Sequence, residues 1–140
     1  MPVPPGELAW NSSMITDFRA HEGQITTGPL AGSNMVLLTT TGAKTRERRT
    51  VPIGYTRDGQ RFVLVGSNSG KPEAPQWAAN IAANPSVTVE VGSETFTARA
   101  TITTGVERRR LLDAHIAAIP IFGKYEAMSG RELPVVVLER

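Results

Sequence analysis

The dipeptide Asp58-Gly59, set between the runs Thr50 to Arg57 and Arg61 to Gly66, restricts this chain more than any other feature. Asp-Gly favours the two-residue turn whose twist matches that of paired strands, so the flanking runs are expected to be antiparallel neighbours. Gly92-Ser93 repeats the device between Val87–Val91 and Thr95–Ile102. There Val87, Val89 and Val91 alternate with Thr88 and Glu90, giving one buried and one polar face. Met35-Val36-Leu37-Leu38, running into Thr39, Thr40 and Thr41, is a further strand. Leu133 to Leu138 is apolar enough to be buried on both faces. Six strands joined mainly by tight turns predict an antiparallel sheet, and closing it into a small barrel removes its exposed edges.

Three helices are expected among these strands, so the class is mainly β with short helices (α+β). Glu7 to Gly23 carries a weak helical pattern in Leu8, Ile15 and Phe18. Pro75 stands in the first turn of a short helix bearing Trp77, Ala78, Ile81 and Ala82, which Asn84-Pro85 stops. Thr104 and Glu107 form a capping box before a helix through Leu111, Leu112, His115, Ile116 and Ile119, ended by Pro120. Residues 1–7 are expected to be a flexible arm and 8–140 a single domain, long enough to build its own core.

Several chemistries are excluded. With no cysteine there is no disulfide, thiolate nucleophile, iron–sulfur cluster or cysteine zinc site. The two histidines, His21 and His115, have no acidic or second imidazole ligand spaced near them, so no metal site is expected. His115 reads as a helix-surface or half-buried residue. No Gly-x-Ser-x-Gly elbow and no strand–GxGxxG–helix unit occurs. No apolar run approaches the ~18 residues of a membrane span, and the opening lacks the pattern of a signal peptide, so a cytoplasmic location is expected. The strands hold few aromatics for base stacking, which speaks against nucleic acid as a partner. An enzyme built from these residues would take its reactive atom from a bound cofactor.

Three segments suit such a cofactor. Lys44, Arg46, Arg48 and Arg49 with Glu47 give the loop after Gly42 a charge of +3, whereas the whole chain carries only 15 − 13 = +2. Such a loop suits a polyanion, because guanidinium and ammonium groups make charge-assisted hydrogen bonds to phosphate and carboxylate. A solvated hairpin loop kept polar for solubility is the competing reading. Gly66-Ser67-Asn68-Ser69-Gly70 lets backbone approach a flat ring closely. Trp77 and Asn80, three apart on one helix face, can flank that ring. Equally, Trp77 reads as a core aromatic and Asn80 as a helix-surface residue.

Taken in order, Thr39 through Pro52, Asp58-Gly59, Gly66-Ser67, Pro75 through Asn80 and Asn84-Pro85 resemble the deazaflavin-dependent nitroreductase family. The likeness continues through Val87 to Glu90, the helix start at Thr104 to Arg108 and the ending from Leu133 to Val137, covering roughly residues 10 to 140. It implies a split β-barrel of the FMN-binding kind that holds reduced coenzyme F420, a deazaflavin with a phosphate and an oligoglutamate tail. By the same resemblance, Lys44 and Arg49 contact the tail and phosphate, with Arg46 and Arg48 as supporting charge. Pro52, Gly66, Ser67, Asn68, Trp77 and Asn80 line the ring and its linker. The chain departs from the family pattern at Asn68, where a lysine is frequent. It departs again along Ile119 to Tyr125, where several tyrosines occur in some members. Here only Tyr125 keeps a phenol, and Ile119 and Phe122 make the substrate wall more apolar.

The implied reaction is hydride transfer from reduced deazaflavin to a flat conjugated electrophile: a coumarin-type enone, a quinone or a nitroaromatic. Ser67 would stabilise developing charge on a substrate oxygen, and Tyr125 would donate a proton or stack. The protein is expected to be a monomer or weak dimer. The alternatives are an FMN-binding oxidoreductase and a barrel that only carries flavin or deazaflavin.

Overall fold

The structure, a computed structural model, describes residues 5–28 and 30–140. One antiparallel sheet holds seven strands: β1 Met35–Thr41, β2 Arg48–Gly54, β3 Thr56–Asp58, β4 Arg61–Val65, β5 Ser86–Val91, β6 Glu94–Ile102 and β7 Val135–Glu139, in the order β2-β1-β5-β6-β7-β4-β3. The two outermost strands, β2 and β3, are separated in the chain by Tyr55 alone. The sheet therefore has to curl until its edges nearly meet, which makes it a split barrel. The sequence reads Thr50 to Arg57 as one strand; the structure divides it at Tyr55, so there are seven strands and not six. The Tyr55 amide donates to the Asn34 carbonyl at 3.2 Å. On one side of that bend the chain pairs with β1, and on the other with β4.

Curling gives the sheet an inner and an outer face, and both are apolar on three strands. Val36 and Leu38 of β1, Phe62 and Leu64 of β4, and Val136 and Leu138 of β7 point into the inner cluster, with Ile81 of α2 (Gln76–Ala83) packed among them. Their alternate neighbours point outward. Met35 and Leu37 lie beneath Met14 and Phe18 of α1 (Pro5–Ala20). Val63, Val65, Val135 and Val137 lie beneath Leu111 and Leu112 of α3 (Gly105–Ala118). Burying each such side chain stabilises the fold by about 1.5–3 kcal/mol, which accounts for the near-continuous apolar runs of β1, β4 and β7.

Several local expectations change. Residues 1–4 of the expected arm lie outside the described residues, and α1 begins at Pro5. Pro75 is extended (φ −67°, ψ 152°) and caps α2 from outside its first turn. Thr104 stands at the head of α3, but its side chain makes no capping bond. Glu107 turns instead to Arg61 and Arg110, because ion pairs to guanidinium outcompete a reach back to one amide. His115 is fully buried, not half-exposed. A fourth helix, α4 (Ile121–Ser129), follows Pro120 and ends at Gly130, whose φ of +64° closes it in the left-handed conformation.

Candidate active site

The basic loop is the turn of the β1–β2 hairpin, in which Thr40 faces Arg49 and Thr41 faces Arg48. The Gly42 amide donates to the Glu47 carbonyl at 2.7 Å, and the Arg46 amide donates to the Gly42 carbonyl at 3.1 Å. Gly42 keeps this turn tight, since a Cβ there would stand 2.6 Å from Thr45 Oγ1 and force that hydroxyl to move. Lys44, Arg46, Arg48 and Arg49 are exposed, and among the described residues none of them pairs with a carboxylate. Arg48 donates to Thr88 Oγ1 at 2.7 Å.

Asn80 holds this loop from below. Its carbonyl accepts from the Ala43 amide and from Gln76 Nε2, both at 3.1 Å, and its amide donates to Thr40 Oγ1 at 3.0 Å. With all these bonds made at 2% exposure, it is a buried bracket between α2 and the loop.

A cavity of about 900 Å³ opens beside the bend at Tyr55. The segment Val51 to Arg57 forms one wall, the loop Ser67 to Ser69 a second, and residues of α3 and α4 a third, with Trp10 of α1 exposed at the rim. Of the residues singled out from sequence, the fold brings Pro52, Ser67, Asn68, Trp77, Ile119, Phe122 and Tyr125 into this wall. Lys44, Arg46, Arg48, Arg49, Gly66 and Asn80 lie outside it. The basic end is near, however. At about 3.3 Å per residue, β2 carries Arg48 only about 10 Å from Val51, where the wall begins.

The second wall is held by a residue the sequence reading passed over. Arg131 donates through Nη2 to the carbonyls of Gly66 (3.3 Å), Ser67 (3.2 Å) and Glu73 (2.9 Å), and through Nε to that of Lys71 (3.2 Å). Drawing these carbonyls to one side lets the chain adopt positive φ at Asn68 (49°) and Ser69 (57°), conformations that cost non-glycine residues energy. Gly66 contributes by its smallness, because a Cβ there would meet Pro134 Cγ at 2.6 Å.

A family model described as F420H(2)-dependent quinone reductase matches residues 11–140. The chain belongs to this family. An F420H(2)-dependent quinone reductase of Mycobacterium tuberculosis strain H37Rv is 37% identical over 108 residues, spanning 75% of this chain and 72% of that protein. Among solved structures, an F420-H2 dependent reductase named FDR-A superposes with a TM-score of 0.69 at 33% identity, over 76% of this chain and 94% of its own. Another, described as a domain-swapped dimer, superposes with a TM-score of 0.71 at 28% identity, over 98% and 100% of the two chains.

Membership of the F420H(2)-dependent quinone reductase family makes F420 the group to test against the site. Two features fit it. The cavity has apolar and small-residue walls suited to a flat tricycle, and four cations without acidic partners stand at the far end of β2, where an anionic tail would run. Sequence reasoning did not see Trp10 or the Tyr55 to Arg57 corner as wall residues. Neither carries a motif, and both reach the site only because the sheet curls. For Arg131 the one local cue is its place just after the helix-closing Gly130.

Proposed function

We propose that this chain reduces a flat, conjugated acceptor of the quinone class with electrons from F420H2. The observation carrying this reading is the cavity beside Tyr55, placed along the same strand as the unpaired basic loop. When bound, the coenzyme supplies a hydride from C5 of its deazaflavin ring.

The chain's own residues bind, orient and exclude water. Lys44 and Arg49, with Arg46 and Arg48 beside them, hold the phosphate and carboxylate groups. Pro52, Ser67, Asn68 and Trp77 set the plane of the ring, and Gly66 and Asn80 support this from behind. Ile119, Phe122 and Tyr125 form the acceptor's side of the cavity. The Ser67 hydroxyl hydrogen-bonds the acceptor oxygen as it gains charge, which lowers the barrier electrostatically. A quinone that takes up a hydride needs one more proton, which Tyr125 or solvent delivers. Coumarin-type enones and nitroaromatics have the same flat, electron-poor character and are second candidates. The same reading takes the protein as a monomer or weak dimer in the cytoplasm, which light scattering and cell fractionation test. Among the described residues, no helix is long and apolar enough to cross a membrane.

The test mixes purified protein separately with F420 and FMN and follows fluorescence quenching, then supplies F420H2 with a quinone. Saturable quenching by F420 and turnover of the quinone are expected. Quenching by FMN alone, or binding of F420 with no turnover of any of the three acceptor classes, would overturn the proposal.

A further inference from the structure

His115 sits on the inward face of α3 with no exposed surface. Its Nδ1 lies 2.7 Å from the hydroxyl oxygen of Thr56, a residue of the cavity wall. Its Nε2 is buried and has no partner among the described residues. Phe122, also in the wall, stands edge-on to the imidazole with 4.4 Å between ring centroids. Burial alone pushes the imidazole pKa down to about 4, so at neutral pH the ring is uncharged and carries a single N–H.

We propose that His115 is a positioning residue: its Nδ1–H donates to Thr56 Oγ1, which leaves the Thr56 hydroxyl proton free for an oxygen of the molecule held in the cavity. The inference rests on the reductase reading above and adds a specificity group to it.

Two neutral tautomers are available, and they have opposite consequences. With the proton on Nε2, Thr56 uses its only hydroxyl proton on Nδ1, and an imidazole N–H is left unpaired among apolar side chains. With the proton on Nδ1, the unpaired group is a lone pair. Buried N–H groups without partners are rarer in folded proteins than under-satisfied acceptors, which favours the second arrangement. In that state the hydroxyl donates toward the cavity. A threonine hydroxyl in free rotation would offer a donor only part of the time, whereas this one has its acceptor lone pair already engaged. The wall at Thr56 then selects molecules that carry a hydrogen-bond-accepting oxygen, such as a quinone carbonyl.

Nitrogen-15 NMR of labelled protein carrying His21→Gln leaves one imidazole to observe, and the signal is expected to report a protonated Nδ1. A protonated Nε2 would overturn the proposal. In kinetics, Thr56→Val is expected to lower kcat/KM for a quinone about tenfold, the worth of one good hydrogen bond, with F420 affinity in the fluorescence titration unchanged. Thr56→Ser should retain activity. His115→Phe, which leaves Thr56 its hydroxyl in free rotation, should lower kcat/KM by less than Thr56→Val, while His115→Asn, which places an amide N–H near the Nδ1 position, should recover part of that loss. Wild-type kcat/KM in Thr56→Val would overturn the role. If the wild type binds F420 but turns over none of the three acceptor classes, the wider reading and the substrate role of Thr56 fail together. An Nδ1–H signal would still uphold the sense of the His115–Thr56 bond.

Discussion

Between Lys44 and Arg49 the chain carries four cations, and between Arg108 and Arg110 it carries three. On α3 every one of the three is occupied. Arg108 donates to the Leu133 carbonyl at 3.0 Å, Arg109 holds Asp113 and Glu126, and Arg110 holds Asp58 and Glu107. Together they tie α3 to the β3–β4 turn, to α4 and to the approach to β7. In the β1–β2 loop the one acid, Glu47, is engaged through its backbone, and no described carboxylate reaches the cations. Two basic clusters of similar density thus differ: one is spent internally, and the other holds no acid among the described residues. Charge density along a sequence does not distinguish them. The position of the acids in space does.

The largest effect expected from this contrast is on coenzyme binding. Replacing Lys44 and Arg49 together by Ala should weaken F420 binding by about 3 kcal/mol or more, since hydrogen bonds to charged groups contribute ~1.5–3 kcal/mol each. A fluorescence titration measures this, and the thermal midpoint should stay put. Unchanged affinity would make the loop a solubility feature and erase the contrast.

Acid should act on the other half of the comparison, at α3 and its neighbours, in two separate windows. His115 has a folded-state pKa of about 4 against an ordinary 6.5, so the unfolded chain binds its proton first. Its contribution is complete above pH 6.5 and is lost as pH falls toward 4, by up to about 3 kcal/mol at 1.36 kcal/mol per unit. Asp58 is held down to about 2 from 3.8 by hydrogen bonds from Arg110 and then Arg61. Its contribution is therefore present above pH 3.8 and lost as pH falls through 2. Urea unfolding across pH should show both losses, and His115→Phe should abolish only the first. A single acid transition near pH 4, unaltered in that variant, would contradict the assignment.

Arg131 stands between the two regimes, bonded internally but to the carbonyls of the cavity loop. Arg131→Ala should cost about 2 kcal/mol of stability, because the part-buried carbonyls of Gly66 and Ser67 lose a charged donor. It should also weaken F420 binding, unlike a change at any of the three arginines of α3. Loss of stability with full affinity would show that the loop keeps its shape unaided.

The smallest effect is expected at Arg109. This side chain is about half exposed, so Arg109→Ala should shift stability by no more than about 1 kcal/mol and leave F420 affinity untouched. A drop in affinity there would blur the comparison.

Much of the architecture was legible beforehand because its causes are local. Asp58-Gly59 and Gly92-Ser93 announce hairpins, and Gly59 and Gly92 do take positive φ (62° and 57°). The apolar runs of β1 and β7 announce strands covered on both faces. The division at Tyr55 was not read from Thr50 to Arg57, although Gly54 just before it is the kind of residue that marks a bend in a strand. The change of partner strand there is a tertiary event. The second face of His115 was hidden for a similar reason: an imidazole on a helix gives no sign of which neighbour will cover it. Asn80 was noticed for its spacing from Trp77, yet its neighbours turned out to be Thr40 and the Ala43 amide, 40 and 37 residues away.

From the order of residues alone came the antiparallel sheet, the placement of its turns and the concentration of positive charge after Gly42, because backbone preference and side-chain periodicity act over a few residues. Which arginines find acids, which loop is drawn tight by Arg131 and which segments become walls of one cavity were decided only when the sheet curled. Those are distances between parts far apart in the chain, and hydrogen bonds and ion pairs form only where such distances close to about 3 Å.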